Sequence, residues 1–280
     1  MRRLTPLLLV LACSENVTPL PDRPLYENPD AGVLSCVPNL DGRIDPTELE
    51  AAIGIPVTLL VSPAGVERPV DLVGQIVDDQ RVWDFATDYA DSSLARIEAA
   101  NVEGQWFEAD FPPDGTPGTR FVTPLDAGGT TVGIYRKNDS ALSLLGVASV
   151  QPDPPEGRTL LVYDTPIALY RFPIEPGATH VSTGEVSGGT LRGLPYAGRD
   201  IYEVEVRTAG RIELPDLAFD QALRVDVRVT VEPAVGAATS RRQVSFLFEC
   251  FGEVARATSR PDETAIDFTT AAELRRLSLE

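Results

Sequence analysis

Leu223-Arg224-Val225-Asp226-Val227-Arg228-Val229-Thr230-Val231 decides the fold class of this chain. Apolar and polar residues alternate without a break. In an extended backbone Leu223 and the valines therefore line one face, and Arg224, Asp226, Arg228 and Thr230 the other. One apolar face against one wet face is the pattern of an antiparallel sheet, because strands of a parallel sheet are apolar on both sides. Tyr202, Val204 and Val206, set against Glu203, Glu205 and Arg207, repeat it. Val244, Phe246, Phe248 and Cys250 extend it, placing Cys250 inside a late strand.

Weaker strand patterns lie N-terminal to these, at Val57–Val61, Arg81–Phe85, Gln105–Phe107, Arg120–Thr123, Thr130–Arg136 and Ala141–Val150. Turns such as Pro112-Pro113-Asp114-Gly115 and Ala127-Gly128-Gly129 separate them. Short helices are expected at Asp91–Ala100, with Asp91 as N-cap, and from Asp45 to Ile53. A third should start at Thr270, where Glu273 completes a capping pattern. The expected fold is mainly β: a large curved antiparallel sheet, half-barrel or barrel-like, with two or three short helices. A β-sandwich is the alternative. Residues 33–56 would form a loop and short helix, 57–268 the antiparallel domain and 269–280 the C-terminal helix.

The start of the chain carries a different signal. Met1-Arg2-Arg3 is basic, Leu4 to Ala12 is apolar but too short to span a bilayer, and Val10-Leu11-Ala12 leads into Cys13. This pattern resembles a bacterial lipobox. The resemblance implies a signal peptide over 1–12, acylation of Cys13, and a polar, proline-punctuated tether over 13–32 that holds the domain on a membrane. Ser14 after the cysteine is compatible with passage to the outer membrane, facing the periplasm or the cell surface. An ordinary cleaved signal, or a mis-assigned start, is the alternative reading.

Composition agrees with an exported globular protein. At 280 residues and 43% hydrophobic, the chain can bury a full core. Its formal charge of −18 becomes −20 when Arg2 and Arg3 leave with the leader. Such a surface repels nucleic acid, so a neutral apolar ligand, a cation or an envelope protein is the better partner class. With Cys13 assigned to lipid, Cys36 and Cys250 form an even pair in a compartment where disulfides persist. Two unlinked thiols are the other reading.

The late strands carry a family likeness. Ile167-Ala168-Leu169-Tyr170-Arg171-Phe172-Pro173, Gly177, Tyr202-Glu203-Val204, Gly210, Leu214-Pro215, Phe219, and Phe246 to Arg256 with Gly252-Glu253-Val254 are similar to a pattern in poorly characterised bacterial lipoproteins. Those resemble the open, strongly curved sheets of LolA-like and lipocalin-like proteins, which implies a concave face able to hold acyl chains. The resemblance covers about Thr159–Ser259, and no functional residue is transferred from it.

Asn39-Leu40-Asp41-Gly42-Arg43-Ile44-Asp45-Pro46-Thr47-Glu48 resembles an EF-hand calcium loop, with Asn39, Asp41, Asp45 and Glu48 as candidate oxygen ligands. Val37 stands where the first ligand belongs. Asp45 as N-cap, Pro46 at the first helical position and Glu48 three residues after the cap explain the same residues without metal.

Catalysis finds little support. His180 is the single histidine, which excludes paired-histidine metal sites, and no Gly-x-Ser-x-Gly elbow or phosphate loop is present. Thr179-His180-Val181-Ser182-Thr183-Gly184 reads as a strand entering a turn. The aromatics Trp83, Phe85, Trp106, Phe107, Phe111, Tyr135, Tyr163, Tyr170 and Phe172 fall on several strands, where a curved sheet can gather some on its concave face. The expectation is a membrane-anchored envelope lipoprotein without enzymatic activity or required cofactor, binding an apolar or lipid-like ligand. A surface interaction module with a weak calcium site is the alternative, and an enzyme stands third.

Overall fold

The computed structural model describes residues 36–125 and 128–279, so the leader, Cys13 and the tether lie outside the described residues. The strands are β1 (Pro56–Val61), β2 (Arg68–Pro69), β3 (Gln75–Val77), β4 (Gln80–Asp84), β5 (Ser93–Glu98) and β6 (Ala100–Asn101). Then come β7 (Thr119–Pro124), β8 (Thr131–Lys137), β9 (Ala141–Ser149), β10 (Leu160–Arg171), β11 (Thr179–Leu191) and β12 (Leu194–Glu213). The last are β13 (Ala218–Pro233), β14 (Thr239–Phe248), β15 (Gly252–Thr258), β16 (Thr270–Ala271) and β17 (Glu273–Ser278).

Thirteen strands form one antiparallel, nearly closed barrel-shaped sheet in the order β5-β1-β17-β15-β14-β13-β12-β11-β10-β9-β8-β7-β6. The two ends of this order are neighbours in the chain, since only Ala99 separates β5 from β6. The segment Ser93–Asn101 pairs with β1 through its first part and with β7 through its last two residues. The chain itself therefore brings the two edges together and leaves little unpaired edge. The expected barrel-like sheet is what forms, in place of a sandwich.

Local chemistry sets the long hairpins. Arg192 and Gly193, both at positive φ, make the two-residue turn between β11 and β12, the geometry that matches strand twist. On β13, Leu223, Val225 and Val227 join the interior cluster with Val204, Val206 and Leu247. The opposite face departs from the expected wet surface. Arg224 and Asp226 are buried, paired at 2.8 Å, and Arg224 also meets Asp267 at 2.7 Å. The reason is a covering layer on the outside of the barrel. Trp83, fully buried, packs at 4.8 Å from Phe246 and donates its indole N–H to the Leu72 carbonyl at 3.0 Å. Phe107 and Phe111 cover β7 to β9 in the same way, packed on Val122, Val132 and Ile134.

Helix expectations fail where pairing offers more. Asp91–Ala100 becomes the strand β5, with Asp91 committed to an ion pair with Arg68. Residues 269–280 were expected to be helical, yet β17 pairs with both β1 and β15, Leu274 packs into the Trp83 cluster, and Arg276 donates to the Phe85 carbonyl at 2.9 Å. Two-sided pairing and burial override a capping signal. Gln105–Phe107 forms a turn before the 3-10 helix Glu108–Asp110, and the helix expected from Asp45 is the single 3-10 turn Pro46–Glu48. Among the described residues no helix reaches seven residues. Cys250 sits in the turn after β14 at φ 66° and is bonded to Cys36, with Cα atoms 5.6 Å apart.

Candidate functional site in the barrel lumen

Strand alternation carries every second side chain of the sheet into the barrel. On β14, Val244 and Phe246 point to the outer layer, so Ser245 and Leu247 point inward. On β15, Glu253 and Arg256 face the lumen, and on β17 so do Glu273 and Arg275, while Val254 and Leu274 pack outward. From the opposite wall come Tyr135 on β8, Leu142 and Leu144 on β9, and Leu169 and Tyr170 on β10.

These side chains leave space unfilled. Two adjoining cavities occupy the lumen, of about 550 and 300 Å³, and both are lined by Tyr135, Leu169, Tyr170, Glu253, Arg256 and Arg275. The smaller continues into an apolar compartment bounded by Val57, Leu59, Ile97, Phe121, Leu142 and Leu247. The larger opens toward Glu67, Arg241, Gln243 and Thr258. The lumen is thus greasy on one side and polar on the other, with charge where the two meet.

The charged belt has a defined geometry. Arg256 and Arg275 stand directly opposite each other in the β15–β17 register. Like charges in that position repel. Two carboxylates offset them: Glu273 accepts from the Arg275 Nε–H at 2.6 Å, and Glu253 lies 3.5 Å from Arg256. Arg275 also donates to the Leu125 carbonyl at 2.9 Å, and Glu253 accepts from the Ser245 hydroxyl at 2.7 Å. Burial works against the charge on Arg256, but Glu253 and Glu273 outweigh it and hold its pKa above the ordinary arginine value. Among the described residues its Nε–H nonetheless has no hydrogen-bond partner. That atom is sealed from solvent and faces a Glu253 oxygen at 3.5 Å, so a ligand would meet the terminal nitrogens of Arg256 and not its Nε–H.

Phenols complete the belt. Burial pushes the Tyr135 pKa up to about 12, moderated by Arg256, and burial raises Tyr170 and Tyr202 as well. All three remain protonated donors at neutral pH. Tyr135 stacks on Phe121 at 5.4 Å and lies across Gly133, where a Cβ would come within 2.5 Å of its hydroxyl. A glycine at 133 is what lets this ring lie flat along the wall.

The residues singled out as calcium ligands are engaged locally. Asn39 Oδ1 accepts from the Asp41 N–H at 2.8 Å, Asp41 accepts from the Arg43 N–H at 3.1 Å, and Asp45 pairs with Arg43 at 3.0 Å. Glu48 accepts from the Asp45 N–H at 2.8 Å, closing the capping box. Glu249, far away in sequence, accepts from the N–H groups of Asn39 and Leu40 at 2.6 and 2.8 Å and so fixes this turn against the barrel. No cluster of three or more metal-ligating His, Cys, Asp or Glu side chains occurs among the described residues. His180 lies within β11, where its Nε2–H donates to the Ala168 carbonyl at 3.0 Å.

Neither a family model, nor a curated protein, nor a solved structure matches this chain. The lumen was legible in sequence only through its aromatics, Tyr135 and Tyr170. Glu273 read as a helix cap, Glu253 and Arg256 entered only through the family likeness and Arg275 escaped notice, because charged residues alternating with apolar ones read as a solvent face. The signal available was the weak apolar contrast of Val254-Ala255-Arg256-Ala257, whose small outward residues fit beneath a covering layer.

Proposed function

We propose that this protein is a non-enzymatic binding protein of the bacterial envelope, held on a membrane through Cys13, that carries an apolar or lipid-like ligand inside its barrel. The observation supporting this reading is the unfilled lumen. A barrel or sandwich that serves only as a scaffold fills its interior with side chains, as the outer layer around Trp83 does here. The adjoining cavities of about 550 and 300 Å³ fall in the size range of ligand sites, about 300–1,000 Å³, and combine apolar walls with a few convergent polar groups. The disulfide Cys36–Cys250 supports an exported location.

Titration with the uncharged fluorophore N-phenyl-1-naphthylamine tests the reading. The probe should brighten and saturate at one equivalent on the wild-type protein, and Leu142→Trp, which fills the apolar compartment, should remove the signal without lowering the melting temperature. A wild-type protein that leaves the probe dark would overturn it.

A further inference from the structure

We infer that the lumen selects a long-chain amphipathic monocarboxylate, with its carboxylate on Arg256 and Arg275 and its chain in the apolar compartment beside Leu142 and Leu247. This inference rests on the binding function proposed above and adds the chemical class of the ligand.

Three observations carry it. The first is donor capacity. Arg256 lines both cavities, its side chain is 19% exposed, and its Nε–H is unmet while Glu253 stands at 3.5 Å. Glu253 gives one oxygen to Ser245 and turns the other to Arg256 at that longer distance, and Glu273 accepts from Arg275. The guanidinium of Arg256 is therefore the donor in the belt that lacks a close acceptor, and its planar fork matches a carboxylate.

The second is local charge. The wider cavity is lined by Arg241, Arg256 and Arg275 against Glu67, Glu253 and Glu273. Glu67 is taken by an ion pair with Arg260, which does not line the cavity. Arg241 is exposed at the rim, so among the described residues the enclosed belt sets Arg256 and Arg275 against Glu253 and Glu273 and carries no net charge, inside a protein whose total is −18. The acidic exterior disfavours polyanions, and the lumen accommodates a single anion.

The third is polarity along the lumen. Val57, Leu59, Ile97 and Phe121 offer a chain no hydrogen-bonding group, and Tyr135 and Tyr170 line the boundary where the headgroup would sit. A wholly apolar ligand would bury the arginines without an acceptor, and a short carboxylate would leave the apolar side empty.

The test compares dodecanoate with dodecan-1-ol, equal in chain length and different in charge, by isothermal titration below the micellar concentration of the acid and the solubility limit of the alcohol. It uses the full chain with Cys13→Ala, so that no detergent competes, after removal of co-purified lipid on an apolar resin. Dodecanoate should bind at least tenfold more tightly than the alcohol, and Arg256→Gln should bring the two within about twofold while leaving the alcohol unchanged. Equal affinities in the wild-type protein would overturn the carboxylate and leave an apolar site standing. Failure of both to bind would overturn the site itself. Arg256→Gln removes the ion-pair partner of Glu253, so the wild-type comparison is repeated at about pH 4. There the acid is protonated and its advantage over the alcohol should vanish; an undiminished advantage would also refute the inference.

Discussion

Replacing Cys36 and Cys250 together by serine removes a covalent link between positions 214 residues apart. The folded chain keeps other ties at that place: the Cys250 N–H donates to the Glu48 carbonyl at 2.7 Å, and Glu249 holds the N–H groups of Asn39 and Leu40. The native fold should therefore persist, and the effect should come from the unfolded ensemble, which gains the freedom of a very long loop. Loop-closure scaling gives about 3 kcal/mol for 15 residues and about 4.7 for 100, and its logarithm brings a loop of this length to about 5 kcal/mol. At this size each kcal/mol moves the melting temperature by about 2–4 °C, so the double variant should melt about 10–20 °C lower. Calorimetry on the oxidised protein and on the Cys36→Ser/Cys250→Ser variant, with matching far-UV spectra below the transition, measures the difference. A shift smaller than about 3 °C would refute the reasoning. It would mean that the unfolded chain is already held together, or that the domain does not unfold as one unit.

Three further outcomes follow from named contacts. Trp83→Phe keeps an aromatic beside Phe246 but loses the indole bond to Leu72 and opens space in the outer layer, so denaturant unfolding should report a loss of about 1–3 kcal/mol. Burial, with Arg171 adding to it, holds the His180 pKa below its ordinary 6.5 against the bond to Ala168. The unfolded chain therefore takes up the proton first as pH falls. The His180 contribution is fully present above about pH 6.5 and lost as pH drops toward the folded value, and His180→Gln should flatten the decline in melting temperature over that window. With Asp41 turned to Arg43, and Glu48 to the cap, calorimetry at millimolar Ca²⁺ should show no heat that Asp41→Ala or Glu48→Ala removes. Such a heat would return these residues to the metal reading.

The β class was readable because alternation is a property of extended backbone and needs no tertiary information. Leu223 to Val231, Tyr202 to Val206 and Thr130–Arg136 all lie in or across strands of the sheet. The pairing of Cys36 with Cys250 followed from counting. What the sequence could not supply was which face looks inward. Arg224 and Arg256 are both charged residues on alternating strands, yet Arg224 lies beneath the outer layer and Arg256 lines the lumen. Alternation defines two faces, and only the long-range return of the Trp83 segment onto β13 to β15 decides their roles. Capping signals at Asp91 and Thr270 misled for a related reason: a local cap contributes about 1 kcal/mol, less than pairing and burial can supply to a short segment. The lipobox-like pattern at Cys13 concerns processing and lies outside the described residues.

Occupancy of the lumen tests the central claim most directly. Native mass spectrometry of the Cys13→Ala chain recovered from a bacterial periplasm, before and after organic extraction, reads it in one experiment. A discrete adduct of lipid size that extraction removes is expected, with a single carboxylate in the released molecule and the two-hydrogen deficit of the Cys36–Cys250 bond retained. A bare chain mass in the unextracted sample, from a protein that is folded and oxidised, would contradict it.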